Sequence, residues 1–163
     1  MKIKRITELA LLTAASLIVF IIEARLPNLT PIQGVKLGLA NIFTVYGVYR
    51  FSGREVALMV ITRVILGGIF GGNLSAIIYS LSGAVACLIG MLLMKKIIPK
   101  NYIWLCSVFG AVFHNMGQTA AAIAITGSFS VIAYAPVLIV SGCIAGAFTG
   151  LTAAFVTNRL EKS

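Results

Sequence analysis

The sequence contains no aspartate and only four glutamates, and 10% of its 163 residues are charged. Soluble domains carry roughly 25% charged residues. This scarcity of charge, together with 60% hydrophobic residues, predicts an integral membrane protein. Paired aspartates, HExxH, GxxxxGK[ST] and a Ser-His-Asp set are all absent. Metal-assisted diphosphate chemistry, ATP hydrolysis and acyl transfer therefore lack their usual groups, and we expect no catalytic residue, metal site or cofactor in this chain.

Basic residues outnumber acidic ones, 13 to 4, which gives a net charge of +9. A nucleic-acid partner is not expected, because the basic residues occur in small groups at the ends of apolar segments rather than along one face. The three cysteines, Cys87, Cys106 and Cys143, each lie alone in an apolar segment. We interpret them as packing residues, since free cysteine behaves as a small buried hydrophobe.

The apolar segments predict one domain, residues 1–163, with six transmembrane helices of up to about 25 residues each. The expected spans are 6–22, 37–49, 56–70, 74–98, 103–126 and 131–156. Basic residues favour one side of this arrangement: Lys2, Lys4, Arg5, Arg50, Arg54, Lys95, Lys96, Lys100, Arg159 and Lys162, against Arg25 and Lys36 on the other. By the positive-inside rule both termini are cytoplasmic, in an all-α, multi-pass protein of a prokaryotic-type cell membrane.

The fifth predicted span carries three polar residues, His114, Asn115 and Gln118, in an apolar run. Spacings of three and four residues place them on one broad face of a helix. Intramembrane polar side chains generally face a bundle interior or a cavity. This face is therefore a candidate binding site, and hydrogen bonding between helices without a ligand is the alternative.

Arg63 lies near the middle of the third predicted span, where a charge is costly unless it meets an anion, a carbonyl or water. The glutamates all lie at span ends, so an anionic ligand is one way to supply the missing charge. The alternatives are that Arg63 binds backbone carbonyls and the polar face of the fifth span, or reaches the interface. Asn41 lies about one turn inside the second predicted span and Lys36 lies at its mouth, and we take both as further candidate binding residues.

Small residues recur in two other predicted spans. The third ends in Gly67, Gly68, Gly71 and Gly72, and the sixth carries Gly142, Gly146 and Gly150 on one stripe. Small residues let helix backbones approach closely in a bilayer. The favoured interpretation is packing within the chain, and docking to another subunit is the alternative.

Two segments carry a family resemblance: KLGLANIFTVYGVYRFSGREVALMVITRVILGGIFGG at residues 36–72 and GAVFHNMGQ at residues 110–118. They resemble the membrane family labelled heptaprenyl diphosphate synthase component I, or Gx transporter, over most of the chain from about Gly34. That family is similar to the substrate-binding S components of energy-coupling factor (ECF) transporters.

The resemblance implies an S-component-like bundle in which the loop 26–36 closes over a small-molecule solute. It also implies docking of Ala10 and Ala14 onto a transmembrane coupling subunit whose partners are two ATPase subunits. Asn41, Arg63, His114, Asn115 and Gln118 would then line an outward cavity. The synthase label implies at most an assisting role, since prenyl synthases hold magnesium diphosphates with aspartate-rich motifs.

Three functions therefore remain open. The leading hypothesis is a membrane binding protein for a small anionic or amphipathic solute, energised by an ECF module. The second is a non-catalytic accessory subunit of prenyl diphosphate synthesis, in which Arg63 and Lys36 attract a diphosphate. The third is a facilitator that moves solute without ATP.

Overall fold

The computed structural model describes residues 3–25, 38–72 and 75–162, and these residues form six α-helices and no strand. The helices are α1 (Ile3–Arg25), α2 (Asn41–Arg50), α3 (Gly53–Phe70), α4 (Ser75–Met94), α5 (Ile103–Thr126) and α6 (Ala135–Lys162). Short 3-10 helices, Lys100–Tyr102 and Phe129–Tyr134, precede α5 and α6. The prediction of an all-α protein is confirmed.

Four helical segments are long and apolar enough to cross a bilayer: Ile3–Arg25, Ala76–Met94, Lys100–Thr126 and Phe129–Arg159. The chain is thus a multi-pass membrane protein. Six crossings remain a prediction. The ten residues of α2 rise about 15 Å, half of a hydrocarbon core of about 30 Å, and α3 contains Arg54, Glu55 and Arg63.

Helix α2 begins at Asn41, although the sequence predicted a span from residue 37. Gly38 adopts a left-handed backbone conformation with φ 69°. Glycine adopts this conformation without strain, and a right-handed α-helix cannot continue through it. A turn follows, in which Asn41 N–H donates to Gly38 O at 2.8 Å. Lys36 and the proposed lid, residues 26–36, lie outside the described residues.

Helices that follow one another in the chain run antiparallel. Between α1 and α2, the Gly38 N–H donates to Glu23 and the Tyr46 hydroxyl donates to Glu8, so the end of one helix lies beside the start of the other. Between α1 and α3, Arg5 forms an ion pair with Glu55 near the start of each helix, so these two run in the same direction. The start of α1 and the end of α6 consequently lie at one end of the bundle. That end also holds Arg50, Arg54 and the lysines after α4, so the clustering of basic residues predicted from the sequence is present in the fold.

Glycines allow close packing among the helices, as the favoured interpretation of the glycine stripes required. A Cβ on Gly150 would lie 2.6 Å from Trp104 Cα, and one on Gly146 would lie 2.9 Å from Val108 Cα, both in α5. In α3, a Cβ on Gly67 would clash with the Phe20 ring of α1. These three glycines pack inside the chain, whereas Gly71 and Gly72, at the end of the third predicted span, are exposed and do not pack against another helix.

The short helix α2 lies in the centre of the bundle and contacts each of the other five α-helices. Thr44, Val45, Tyr46, Gly47 and Val48 are all buried. Burial of a short, mostly apolar helix against so many neighbours fixes its position strongly. The start of α2 can therefore act as a rigid wall for whatever lies beside it.

Candidate functional site

A cavity of about 80 Å³ lies between the helices, and all six α-helices contribute to its lining. Five of the six candidate solute-binding residues line it: Asn41, Arg63, His114, Asn115 and Gln118. Lys36 lies outside the described residues. The cavity extends from Glu23 and Gly38, near the end opposite the amino terminus, to Met91, Ser107 and Thr149. We call it the polar cavity.

Arg63 forms the charged wall of the polar cavity and is 3% exposed. Its Nη1 donates to Ala40 O at 2.6 Å and to Thr44 Oγ1 at 3.2 Å, and its Nη2 donates to Asn41 Oδ1 at 3.3 Å. All three acceptors are neutral and lie at the start of α2. Its Nε has no hydrogen-bond partner among the described residues. Arg63 thus binds a backbone carbonyl, as one alternative held, but through α2 rather than α5 and without reaching the interface.

The ring of Phe20 supports the guanidinium from α1, with the Arg63 Cζ 5.9 Å from the ring centroid. Aromatic faces attract cations and exclude water from them. Neither ion pair between described residues includes Arg63. A desolvated guanidinium with neutral acceptors still favours an anion strongly.

Glu23 is a member of the cavity wall that the sequence did not single out. Its Oε1 accepts a hydrogen bond from the Gly38 N–H, which joins the end of α1 to the residues before α2. Glu23 and Arg63 are the carboxylate and the guanidinium of the described lining. From the sequence, Glu23 was only a glutamate at the end of a predicted span. Its place in the cavity wall depends on the chain folding back at Gly38, whose N–H binds its carboxylate.

His114 and Gln118 face α4, where Gly83 leaves room for them. A Cβ on Gly83 would lie 2.9 Å from His114 Nε2 and 2.7 Å from Gln118 Cγ. The four-residue spacing that predicted a shared face for His114 and Gln118 agrees with this arrangement. The sequence shows Gly83 in the fourth predicted span. Only the packing of α4 on α5 shows that it lies opposite His114 and Gln118.

Asn115 turns toward α6 instead. Its Nδ2 donates to Leu138 O, and the glycine at 142 leaves room for the amide. Asn115 is buried, 9% exposed. Its amide thus makes the interhelical hydrogen bond that the alternative interpretation described, while the residue also lines the polar cavity.

The deep end of the polar cavity is closed by a hydroxyl pair. Ser107 Oγ and Thr149 Oγ1 are 3.0 Å apart, and Thr149 Oγ1 also bonds to Gly146 O at 3.2 Å. Because the Thr149 hydroxyl donates to that carbonyl, Ser107 is the donor to Thr149. This pair links α5 to α6 below the polar side chains.

The size of the polar cavity limits what fits in it as it stands. Ligand sites usually have volumes of about 300–1,000 Å³, against about 80 Å³ here. The present volume is enough for a few water molecules. A solute larger than an inorganic ion requires the walls to separate, and the described residues include no group of side chains with metal-ligand composition.

The proposed docking residues lie on the outside of the bundle. Ala10 and Ala14 are exposed, and Leu11, Ile18 and Ile22 on the same side of α1 are 55–66% exposed. The four-residue spacing from Ala10 through Ile22 forms one stripe along the helix. The stripe is apolar, and both of its alanines are exposed.

Fold and site together define a multi-pass, all-helical membrane protein with a buried polar cavity. Residues 12–156 match the family model described as heptaprenyl diphosphate synthase component I. The chain belongs to that family. No curated protein and no solved structure matches it.

Proposed function

We propose that this chain is a non-catalytic membrane subunit that binds a small anionic or amphipathic solute in the polar cavity, in the manner of an ECF S component. The observation that carries the proposal is Arg63, a buried guanidinium whose acceptors are all neutral. Glu23 shares the cavity lining but forms no ion pair with Arg63, so an anionic group on a solute would supply, in direct contact, the charge that these acceptors lack. His114 and Gln118 would bind its polar groups from the opposite wall.

Binding requires the cavity to widen. The hydrogen bond of 3.3 Å from Arg63 to Asn41 Oδ1 is the longest of the three that the guanidinium makes. Its acceptor belongs to a side chain, which can rotate away, whereas the Ala40 carbonyl belongs to the backbone. An incoming anion would replace Asn41 while the bond to Ala40 O keeps Arg63 in position. The lid at residues 26–36, with Lys36, would then cover the solute.

The energising partner would dock on α1. Exposed alanines at positions 10 and 14 permit close approach of another helix in the bilayer. In this proposal the partner is the ECF coupling subunit, which carries two ATPase subunits and drives release of the solute. Six spans, cytoplasmic termini and a prokaryotic cell membrane belong to the same proposal.

Native mass spectrometry of the gently purified full chain tests the binding. We expect one small molecule to remain bound without ATP, and Gln118→Ala to lower its occupancy at least tenfold. Arg63→Gln should lower it further. Arg54→Gln is the matched control, because Arg54 is an exposed arginine of the same helix.

Two results would count against solute binding: no retained molecule in the wild-type chain, or equal occupancy in Gln118→Ala and Arg54→Gln. Gln118→Ala is used for this comparison rather than Arg63→Gln. Arg63 also holds the start of α2, so replacing it could lower occupancy by disturbing the fold rather than by removing a ligand contact. Transport into liposomes by the chain alone, without ATP, would favour the facilitator.

A second function is favoured by the family description, heptaprenyl diphosphate synthase component I. The chain would be an accessory membrane subunit of prenyl diphosphate synthesis. The cation Arg63 would attract a diphosphate and apolar walls would accept a prenyl chain. With no aspartate in the sequence, the chain would leave the magnesium chemistry to its partner.

Affinity purification of the tagged chain from its native membrane separates the two functions. An S component should retain a coupling subunit and two ATPases, and Ala10→Arg should abolish that association while solute binding persists. Co-purification of a prenyl synthase without ATPases would favour the accessory subunit. Unchanged ATPase recovery with Ala10→Arg would exclude docking at the α1 alanines.

A further inference from the structure

The polar cavity contains two side chains of opposite charge, Glu23 from α1 and Arg63 from α3. Neither belongs to the ion pairs found among the described residues. The carboxylate oxygens and the guanidinium nitrogens are therefore more than 4.0 Å apart. Opposite charges that share a cavity without touching leave room for a solute that contacts both of them.

Phe20 shows where the carboxylate lies relative to the guanidinium. The Phe20 ring supports Arg63, whose Cζ lies 5.9 Å from the ring centroid. Residues three apart in a helix share one face and lie about 4.5 Å apart along its axis. Glu23 is thus about one turn beyond Phe20 on the same face of α1, toward the end of the cavity that Gly38 lines.

The residues at the start of α2 hold both charges in position. The Gly38 N–H donates to Glu23 Oε1, and Ala40 O accepts a hydrogen bond of 2.6 Å from Arg63 Nη1. A turn joins the two anchoring residues, since Asn41 N–H donates to Gly38 O at 2.8 Å. One short segment of backbone therefore fixes the separation between the carboxylate and the guanidinium.

Both charged groups keep hydrogen-bonding capacity for a solute. The Gly38 N–H occupies one of about four acceptor positions on the Glu23 carboxylate. On the other side, the bond of 3.3 Å from Arg63 Nη2 ends on the side chain of Asn41, which an anionic group can replace. A cationic group can therefore reach Glu23 while an anionic group reaches Arg63.

The charges of the described cavity lining cancel. Glu23 contributes −1 and Arg63 contributes +1, and the other described lining residues are neutral at pH 7. A solute with a net charge would have to lose its water in a lining without net charge of the opposite sign, which is costly. A solute whose own charges cancel avoids this cost and meets a partner at each end.

We propose that the solute of the polar cavity is a zwitterion, with its anionic group bound to Arg63 and an ammonium group bound to Glu23. This inference rests on the proposed function, because it names the solute class of the same cavity. His114 and Gln118 on the opposite wall would bind neutral polar groups of the solute. A diphosphate fits less well, since it would bring several negative charges close to the Glu23 carboxylate.

Two small probes of nearly equal size test the inference. Glycine carries a carboxylate and an ammonium, whereas glycolate carries a hydroxyl in place of the ammonium. The full chain in detergent is unfolded thermally with either probe at the same concentration. Glycine should raise the melting temperature of the wild type more than glycolate does. A glycolate effect that equals or exceeds that of glycine would overturn the inference.

Glu23→Gln separates recognition of the ammonium from the structural role of this side chain. The glutamine oxygen can still accept the Gly38 N–H, but the negative charge is gone. The affinity for glycine should fall at least about tenfold, and glycolate should become the better probe because it no longer faces a carboxylate. An unchanged order of the two probes in this variant would also overturn the inference.

Glu8→Gln is the matched control, because it removes a glutamate of the same helix that is not part of the described cavity lining. It should keep the wild-type order of the two probes, and a reversal here as well would overturn the assignment to Glu23. Each temperature shift is taken from the variant's own melting temperature without a probe. A change in stability therefore does not enter the comparison.

The molecule retained in native mass spectrometry separates this inference from the proposed function. Its exact mass and fragmentation should reveal an acidic group and a basic nitrogen. A retained anion without a basic nitrogen would overturn the zwitterion and leave solute binding in place. A wild-type chain that retains no molecule would contradict the proposed function instead, and the order of glycine and glycolate would then decide the zwitterion by itself.

Discussion

Arg63, in the middle of α3, donates a hydrogen bond of 2.6 Å to the carbonyl oxygen of Ala40, the residue that precedes α2. This bond joins a buried charge to the start of the most enclosed helix of the bundle. It also holds the guanidinium at the wall of the polar cavity. Arg63 is therefore a structural contact and a candidate recognition group at once.

Replacing Arg63 should destabilise the fold. In Arg63→Met, Ala40 O and the Asn41 side chain lose their buried donor, which costs about 1–3 kcal/mol. Unfolding of the chain in detergent by titration with a denaturing detergent measures the change. Arg54→Met, at an exposed position, should lie within about 0.5 kcal/mol of the wild type. Equal stabilities of the two variants would mean that the contacts with α2 contribute nothing.

Close packing of α6 on α5 predicts a second result. In Gly150→Ala the new Cβ would lie 2.6 Å from Trp104 Cα, so the helices must separate at a cost of roughly 1–3 kcal/mol. Gly47→Ala is the control, because its Cβ would meet Val56 at 3.4 Å, an ordinary contact. The control should be neutral or more stable by up to about 1 kcal/mol. Thermal unfolding should rank the two variants accordingly.

The hydroxyl pair at the deep end of the cavity predicts coupling between α5 and α6. Ser107→Ala and Thr149→Val should show an interaction free energy of about 0.6 kcal/mol in a double-mutant cycle, and at most about 1.7 kcal/mol. The cycle is measured from the unfolding free energies of the wild type, both single variants and the double variant. Strictly additive effects would contradict a hydrogen bond between the two side chains.

The amino-terminal end of the bundle should lose an ion pair in acid. Hydrogen bonds from Arg5 and from Ser52 N–H lower the pKa of Glu55 to about 2, from an ordinary 4.5. Because the carboxyl pKa is lower in the folded than in the unfolded chain, the ionised Glu55 stabilises the fold when the pH is above the unfolded-state pKa. That stability disappears as the pH falls from about 4.5 to about 2.

Glu55→Gln should therefore unfold at a lower temperature than the wild type at pH 7, and the difference should shrink below pH 4.5. Melting temperatures in detergent between pH 7 and pH 2.5 provide the measurement. The same difference at every pH would show that the effect comes from the cap on Ser52 rather than from ionisation.

The sequence predicted much of the cavity because polar residues are rare in this chain. A four-residue spacing placed His114 and Gln118 on one face, and both lie opposite Gly83 in the structure. The family resemblance placed Arg63 and Asn41 in one cavity, and in the structure they are hydrogen-bonded. Helical periodicity carried the first inference, and the resemblance carried the second.

Other features depended on tertiary contacts that periodicity does not contain. Glu23 reaches the cavity because Gly38 returns the chain toward α1, and the sequence showed only a glutamate at a span end. The acceptors of Arg63 lie on α2 because α2 packs against α3, whereas the sequence equally allowed α5. The late start of α2 followed from the left-handed backbone of a single glycine, Gly38.

The central claim is that the polar cavity is a solute site, and an electron-density map of the natively purified full chain tests it most directly. The account predicts non-protein density in contact with the Arg63 guanidinium and within hydrogen-bond distance of Gln118, with the walls further apart than in a cavity of about 80 Å³. A cavity of unchanged size, filled by water alone in protein that retains its native partners and lipids, would contradict the account.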